Sequence, residues 1–464
     1  MTDDEQLRKA LGTAAGHLSS ARWSGSKGAE GICVHELFRL IDERTRCVFG
    51  AVISFPPSSE RHFAPFVLSG NSKVGLRPFE VSPGRFLAEA ERTRVFSEFA
   101  VGMMRGGGRT IGNGAEIVWS GPVPPGPPGA VHQMGGDTTN VVVGLRLGRR
   151  RAVLKSYRTI DPCNPEPELL GHLSGQKCEV TPRVWGSYSM VPTGGAGEGA
   201  VLGVLLKHVD GQPAFPAFVG NARRSVQKGL PPHYCLPTRL GAAVAELHCC
   251  LFDPKAPPEI VPEQISQGDI VSWREAIMAR HCGAIAVLSG PDRERLEKAG
   301  RPLQDILGGM DAWKGGWKMR THQDLHLGQI LVCRRSFKII DFEGEPMRKG
   351  AARQEKLPPE RDLGTMLRSF AYAAHLGMAG GKDAGMAERA GRWEQLNASS
   401  FLKGYVGAGP PTISDRAGLA ARVRVWAAEK ALYEIVYEAR FRPEWVTIPL
   451  EGFLETVEGT ITEV

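Results

Sequence analysis

The sequence contains no apolar run that approaches the length of about 18 residues needed to cross a bilayer as a helix. Its first residues, MTDDEQLRKALG, are charged and lack the hydrophobic stretch of a secretory leader. These two absences argue against a membrane protein and predict a cytoplasmic location. No segment repeats at a fixed period.

Paired cysteines and basic patches are missing as well. None of the nine cysteines forms a C-x-x-C pair, and the nearest cluster is His248, Cys249 and Cys250. Adjacent side chains on a helix point about 100° apart, so this trio is a poor metal site and buried reduced thiols are the better interpretation. The formal charge of +7 is scattered over 464 residues. This argues against a nucleic-acid partner but suits a polyanionic ligand such as a nucleotide.

The length and the order of patterns predict three domains. At about 150 residues per domain, 464 residues exceed a single core. Short β-rich runs such as CVFGAVISF predict a small accessory domain over residues 1–95. Residues 96–210 are expected to be β-rich, because NVVVGLRLGRRRAVLKSYR alternates around a basic turn as in a β-hairpin. From 211 to 464 the pattern is mainly helical.

Local signals define several helices. Asn164 is a candidate N-cap and Pro165 suits the first helical position, so a helix is predicted over 165–174. Amphipathic patterns predict further helices over 240–252 and 423–440, the latter ended by a nearby proline.

The chemistry of the chain is concentrated in HQDLHLGQ (322–329) and IIDFEGE (339–345). Phosphoryl transfer needs a cation on the nucleotide phosphates, oxygen ligands for Mg²⁺, and a carboxylate that orients and deprotonates the attacking hydroxyl. Asp324 and Gln329 lie five residues apart, and Asp341 follows the short apolar strand FKII. The spacing predicts one carboxylate for the acceptor hydroxyl and two oxygen ligands for the metal.

The cation for the phosphates is assigned to Lys155, near the end of a predicted strand. Glu168 on the following helix is the expected partner of its ammonium group, and Glu166 is the alternative. A strand lysine alone is commonly an ordinary surface residue, so the assignment depends on the hairpin before it and the acidic helix after it.

The last long predicted helix carries Trp426, Tyr433, Tyr437 and Arg440 at intervals of seven, four and three, which places them on one face. Aromatic rings stack on the apolar faces of sugar rings, and arginine donates to their hydroxyls. Such a face suits a saccharide pocket, with Trp445 as a further candidate. On the pattern alone, a buried aromatic stripe is the better interpretation.

These segments together resemble bacterial maltokinases over most of the chain. Besides HQDLHLGQ and IIDFEGEP, the resemblance rests on RDLGTMLRSFAYAA, YEIVYEARFRPEW and ARWSGSKG, in the family's order, and GGDTTNVVV resembles the family's phosphate-covering loop. It implies an α+β, bilobal protein-kinase-like fold of the aminoglycoside-phosphotransferase type. A β-rich N-lobe and a mostly α-helical C-lobe would follow a small N-terminal cap domain.

The implied activity is transfer of the γ-phosphoryl group of ATP, with Mg²⁺, to the anomeric hydroxyl of maltose, by a monomer without nucleic-acid or membrane partners. The resemblance assigns Asp324 as the catalytic base and His322 as the residue that braces its loop. Gln329 and Asp341 would hold the metal. The nucleotide contacts that it implies are Lys155, Glu168, Thr138, Thr139 and His208. The resemblance also favours the saccharide pocket over the buried stripe for the aromatic face.

The acceptor stays open at this point, because Gln323 occupies a position where the family usually has glycine. An amino sugar such as glucosamine is the alternative acceptor, and Glu345 or Glu438 would then supply a carboxylate for its ammonium group. A catalytically inactive binding protein of the same fold is a third interpretation. The retention of every catalytic group argues against it.

Overall fold

The structure of the protein is a computed structural model that describes most of the chain. The described residues form two compact units, Met1–Ser174 with Pro182–His208, and Gly175–Thr181 with Val209–Val464. Thr138 of the expected phosphate-covering loop lies outside the described residues. The described residues are 3–459 except 25–28, 30, 44, 76, 135–138, 195–198, 232–234, 335, 382, 384 and 413–417.

The first unit is built mainly of strands. It includes the residues predicted for the cap and nearly all of those predicted for the β-rich lobe, and the boundary near residue 95 stays a prediction. Its elements are α1 (Asp3–Thr13), α2 (Ala15–Ser19), β1 (Cys33–Glu43), β2 (Arg46–Ser54), β3 (His62–Ser69), β4 (Phe79–Ser82), β5 (Arg85–Glu89), α3 (Arg94–Gly106), β6 (Arg109–Ile111), β7 (Ala115–Ser120), β8 (Pro128–Gln133), β9 (Val141–Leu147), β10 (Arg150–Ser156), α4 (Pro165–Gly175), β11 (Val184–Pro192) and β12 (Ala200–Lys207).

The first sheet, with strand order β1-β2-β3-β5-β4, is covered on both faces. Along β2, Phe49 and Ile53 face a core that includes residues of α1 and α2, whereas Val48 and Val52 face a core shared with the second sheet. The period of two places successive side chains on opposite faces. This double burial explains why CVFGAVISF is an almost unbroken apolar run.

The second sheet has the order β6-β7-β11-β12-β10-β9-β8 and contains the predicted hairpin. β9 pairs antiparallel with β10 from Leu147 opposite Arg150, so the turn has two residues and Gly148 has a positive φ of 59°. The hairpin prediction is confirmed. Lys155 lies in the sheet interior, opposite Val142 on one side and Val204 on the other.

The second unit is mainly helical, as predicted. No helix in the described part of the chain is long and apolar enough to cross a membrane. The elements of this unit are β13 (Gln212–Pro213), α5 (Ala214–Lys228), α6 (Cys235–Leu251), β14 (Glu263–Gln264), α7 (Gln267–Val287), α8 (Gly290–Lys298), α9 (Gly300–Gly308), β15 (Trp317–Lys318), β16 (Ile330–Val332), β17 (Phe337–Ile339), α10 (Glu360–Met378), α11 (Met386–Gly407), α12 (Leu419–Phe441) and α13 (Thr447–Glu458).

The predicted helices are confirmed in both units. α4 matches the prediction for 165–174, and the side-chain oxygen of Asn164 accepts a hydrogen bond from the backbone N–H of Glu166 at 3.1 Å, as an N-cap does. α6 and α12 include the ranges predicted over 240–252 and 423–440, except for Phe252.

Glycine allows α6 and α11 to pack with their backbones in close contact. A Cβ atom at Gly404 of α11 would lie 1.9 Å from the carbonyl oxygen of Thr238, and one at Gly241 of α6 would lie 1.9 Å from that of Phe401. Both obstacles are backbone atoms, which cannot move aside as a flexible side chain does. This helix pair therefore depends on the absence of side chains at two positions.

We expect Gly404→Ala to lower the free energy of unfolding by about 2–3 kcal/mol, because the new methyl group forces the two helices apart. Gly391→Ala, on the same helix, is the matched control, since a Cβ there meets no atom within 4 Å. The control should raise stability by about 0.5–1 kcal/mol through helix propensity. Urea unfolding measures both; equal effects would contradict the packing argument.

Candidate active site

The loop HQDLHLGQ is held by a buried carboxylate at the start of α10. Asp362 accepts hydrogen bonds from the backbone N–H groups of His322 (2.8 Å) and Gln323 (2.9 Å), and its carboxylate lies 3.2 Å from Nε2 of His248. Burial opposes its ionisation, but the hydrogen bond from His248 and the loop contacts hold the pKa of Asp362 below its usual range. The loop geometry thus depends on one ionised side chain.

His248 acts through this carboxylate and not as a metal ligand beside its neighbouring cysteines. Its Nδ1 lies 2.7 Å from the hydroxyl of Tyr405, so both ring nitrogens are engaged within the protein. The sequence pattern placed His248 on a predicted helix. It did not indicate the two hydrogen-bond partners, which lie 114 and 157 residues away in the chain.

Gln323 adopts a backbone conformation that favours glycine, with φ of 65°. Its side chain compensates for this, because Nε2 donates to the carbonyl oxygens of Arg353 (3.1 Å) and Glu355 (2.9 Å). Arg361 donates to the carbonyl oxygen of Gln323 at 2.9 Å. The departure from the maltokinase pattern therefore ties the loop to the segment before α10 and removes none of the predicted catalytic groups.

We expect Gln323→Ala to destabilise the protein by about 1–3 kcal/mol, because it loses both side-chain hydrogen bonds and keeps the left-handed backbone. Gln323→Gly loses the same bonds but relieves the backbone strain, so it should be about 1 kcal/mol more stable than the alanine variant. Denaturant titration of the two variants tests this order. The reverse order would show that the backbone conformation carries no strain.

His322 braces the loop against the segment of Asp341. Its Nε2 lies 3.0 Å from the carbonyl oxygen of Ile340 and therefore carries the proton, while its Nδ1 faces the N–H of Asp324 at 3.4 Å. Its ring packs on that of Phe342 with centroids 4.5 Å apart. The role predicted for His322 is consistent with these contacts.

Gln329 and Asp341, the predicted metal ligands, lie next to each other. The side-chain amide of Gln329 donates to Oδ2 of Asp341 at 3.0 Å, and Asp341 has a positive φ of 67°. A carboxylate and an amide carbonyl are ligands that Mg²⁺ prefers. The two side chains therefore suit a divalent cation, which stays a prediction.

Asp324 forms an ion pair that the sequence pattern did not indicate. Nζ of Lys430 on α12 lies 2.9 Å from Oδ1 of Asp324 and 2.8 Å from Oε1 of Glu345, and all three side chains are largely buried. His326 lies 3.6 Å from the other carboxylate oxygen of Asp324. Burial opposes ionisation, but Lys430 and then His326 outweigh it and hold the pKa of Asp324 well below its usual range.

A cluster of buried charges contacts Glu345, which shares Lys430 with Asp324. Arg361 contacts Glu345 at 2.9 Å and Glu429 at 3.3 Å, and Arg348 contacts Glu345 at 3.2 Å. Burial raises the pKa of Glu345, but Arg361 and Lys430 outweigh it and lower this pKa to about 2. Burial lowers the pKa of Lys430, but Asp324 and then Glu345 outweigh it and raise this pKa.

We expect Lys430→Met to lower the free energy of unfolding at pH 7 by about 3–5 kcal/mol, because two buried carboxylates lose a shared cation. Asp324 and Glu345 have lowered pKa values in the folded protein. Their contribution is therefore present above the ordinary carboxyl pKa of about 4 and is lost as the pH falls towards the folded values. The difference from the unmodified chain should shrink below about pH 5.

Urea unfolding between about pH 7 and about pH 2.5 measures this dependence. Lys403→Met, at an exposed position of α11, is the control and should change stability by less than about 0.5 kcal/mol at every pH. A difference for Lys430→Met that does not vary with pH would contradict the linkage.

In the first unit, Lys155 pairs with Glu166 where the resemblance led us to expect Glu168. Nζ of Lys155 lies 2.6 Å from Oε2 of Glu166, and the hydroxyl of Tyr157 donates to the same oxygen at 2.7 Å. Glu166 is buried, whereas Glu168 is half-buried. Side chains two positions apart on a helix point about 200° away from each other. Only the structure shows which of the two glutamates faces Lys155.

Thr139 and His208 are the other predicted nucleotide contacts within the described part of the chain. Thr139 is exposed, at the edge of residues 135–138, which lie outside the described part of the chain. His208 follows β12, and its N–H donates to the carbonyl oxygen of Arg151 at 3.1 Å. Burial, Arg151 and His132 lower the pKa of the His208 side chain.

The aromatic face of α12 is divided between core and surface. Trp426 is buried against Trp273 and Trp313, so for this residue the structure favours the alternative interpretation of a core position. Tyr433 is also buried, and Nζ of Lys430 lies 4.4 Å from its ring centroid.

The outer part of this face is more open. Tyr437 and Trp445 are half-buried and Arg440 is exposed. The ring of Trp445 stacks on that of Tyr372 at 6.3 Å, and the hydroxyl of Tyr372 donates to Glu438 at 3.0 Å.

Both carboxylates considered for an ammonium group already have cationic partners. Arg442 donates to both oxygens of Glu438, at 2.8 and 2.7 Å. Glu345 is shared by Lys430, Arg361 and Arg348. Neither carboxylate is therefore a free charge in the described structure.

Comparisons with known proteins identify a fold class. The chain is similar in structure to a glucosamine kinase solved in crystal form A, with a TM-score of 0.71 at 18% identity. The match covers 98% of this chain and 99% of the other. A glucosamine kinase in complex with glucosamine, ADP and inorganic phosphate gives a TM-score of 0.65 at 17% identity, covering 91% and 93% of the two chains. The chain has the predicted kinase-like fold.

Two relatives found by sequence are also named glucosamine kinase. The chain is 27% identical over 310 residues to the glucosamine kinase of Mycolicibacterium smegmatis. The matched region covers 64% of this chain and 73% of the relative. The chain is 23% identical over 296 residues to that of Streptacidiphilus jiangxiensis, with coverage of 62% and 64%. No protein-family model matches the sequence.

Proposed function

We propose that the protein is an ATP-dependent kinase that transfers the γ-phosphoryl group to a hydroxyl of glucosamine. The observation that carries the proposal is the loop 322–329, in which an ionised Asp324 is held beside Lys430 and is followed by the Gln329–Asp341 pair. The names of the relatives favour glucosamine, our alternative acceptor, over maltose.

Asp324 would receive the acceptor hydroxyl. Because its pKa lies far below neutrality, it is a weak base, and its main contribution is to orient the hydroxyl by accepting its hydrogen bond. It takes the proton late, when the oxygen bonds to phosphorus and becomes acidic. Lys430 keeps the carboxylate ionised and limits its rotation.

Gln329 and Asp341 would hold Mg²⁺ through the amide oxygen and the carboxylate. A bound Mg²⁺ would neutralise charge on the nucleotide phosphates. Lys155, fixed in position by Glu166 and Tyr157, would supply a further positive charge to the phosphates. Thr138, Thr139 and His208 remain proposed nucleotide contacts.

The proposed contacts of the acceptor sugar are the half-buried Tyr437 and Trp445 and the exposed Arg440. Tyr433 would act through Lys430. Trp426 would support the helix from the core.

An ADP-release assay with ATP and Mg²⁺ tests the proposal over glucosamine, N-acetylglucosamine, glucose and maltose. We expect kcat/KM for glucosamine to exceed that for every other sugar by at least about tenfold, a difference of about 1.4 kcal/mol. A preference for maltose would restore the maltokinase hypothesis. Absence of sugar-dependent release would refute the kinase.

Asp324→Asn is the control within this assay. It keeps the shape of the side chain but removes its charge, so kcat should fall by about 10²–10⁴. ATP binding, followed by fluorescence titration, should stay within about threefold of the unmodified chain, because Asp324 is assigned to the acceptor. An unchanged kcat would exclude Asp324 from the reaction.

A further inference from the structure

The segment Gly175–Thr181 belongs to the second unit, although the residues on either side of it in the chain belong to the first. Two hydrogen bonds attach it to the C-terminal end of α6. Nε2 of Gln176 donates to Asp253 at 2.6 Å, and the N–H of Glu179 donates to Glu246 at 3.2 Å. The segment therefore runs along α6 in the opposite direction.

These two contacts place Cys178 beside Cys250. Cys178 lies between Gln176 and Glu179, and Cys250 lies four residues after Glu246 on the same helix face. The thiol of Cys250 is hydrogen-bonded to that of Cys178, which lowers the pKa of Cys178. Cys178 is buried and Cys250 half-buried, whereas the adjacent Cys249 is exposed.

The other edge of the segment is bound to β17. The N–H of Ile339 donates to the carbonyl oxygen of Val180 at 2.7 Å, and Nζ of Lys338 donates to the carbonyl oxygens of Glu179 and Thr181. The segment thus lies between α6 and the strand that precedes Asp341. With both edges held, the two thiols have little freedom to separate.

We propose that Cys178 and Cys250 form a redox-active thiol pair that a hydroperoxide oxidises to a disulfide. The thiolate of Cys178 attacks one peroxide oxygen, the O–O bond breaks, and the product is a sulfenic acid and water. The sulfur of Cys250 then attacks the sulfenic sulfur, and hydroxide leaves and takes up the thiol proton as water. Two thiols and one hydrogen peroxide give one disulfide and two water molecules.

The disulfide would join the segment covalently to α6 and close the chain between positions 178 and 250. A cross-link over so long a stretch restricts the unfolded chain and stabilises the fold. The proposal does not depend on the kinase assignment, because its product is detectable without any activity.

Peptide mapping of the full chain after hydrogen peroxide treatment tests the pair. Trypsin releases CEVTPR (178–183) and LGAAVAELHCCLFDPK (240–255). We expect these peptides to be joined under non-reducing conditions, with a mass two hydrogen atoms below their sum, and to separate with dithiothreitol. The melting temperature of the oxidised chain should rise and return to its original value on reduction.

Cys249→Ser is the matched control and should keep the linkage, whereas Cys178→Ala and Cys250→Ala should lose it together with the rise in melting temperature. Thermal unfolding of the untreated variants shows that each is folded. Unlinked peptides in the treated chain, or a linkage that persists in Cys250→Ala through Cys249, would overturn the proposal.

Discussion

The hydrogen bonds that Asp362 accepts from the backbone of His322 and Gln323 are the interaction on which the candidate site depends. They fix the orientation of the loop from α10, a helix whose side chains are mostly buried and therefore rigid. His322, which braces the loop, and Asp324 lie at or next to these anchored backbone positions. A buried carboxylate is suited to this anchoring because charge-assisted hydrogen bonds are stronger than neutral ones.

The charges around Asp324 show why such a site needs partners from several elements. A buried carboxylate alone would take up a proton, since burial penalises its charged form. Lys430, Arg361 and Arg348 offset that penalty for Asp324 and Glu345 together. The network keeps Asp324 ionised at neutral pH, which suits orientation of a hydroxyl better than strong general-base catalysis.

The local elements and the central motif could be predicted from the sequence. The hairpin before Lys155 and the helix after Asn164 follow from alternation, turn and capping signals that act over a few residues. Gln323 was identified as a departure from the maltokinase pattern, but its compensation could not be, because the partners at Arg353 and Glu355 are about 30 residues away.

The sequence by itself determined the class of fold, through its resemblance to maltokinases, and the order of the acid, amide and lysine groups, because short motifs are local properties. Only the tertiary structure decided that Lys155 pairs with Glu166, that Trp426 lies in the core and that Lys430 accompanies Asp324. Each of these depends on the direction of a side chain or on a contact between residues far apart in the chain, 106 positions for Lys430 and Asp324. Such contacts are set by how helices and strands pack together, and no local pattern encodes them.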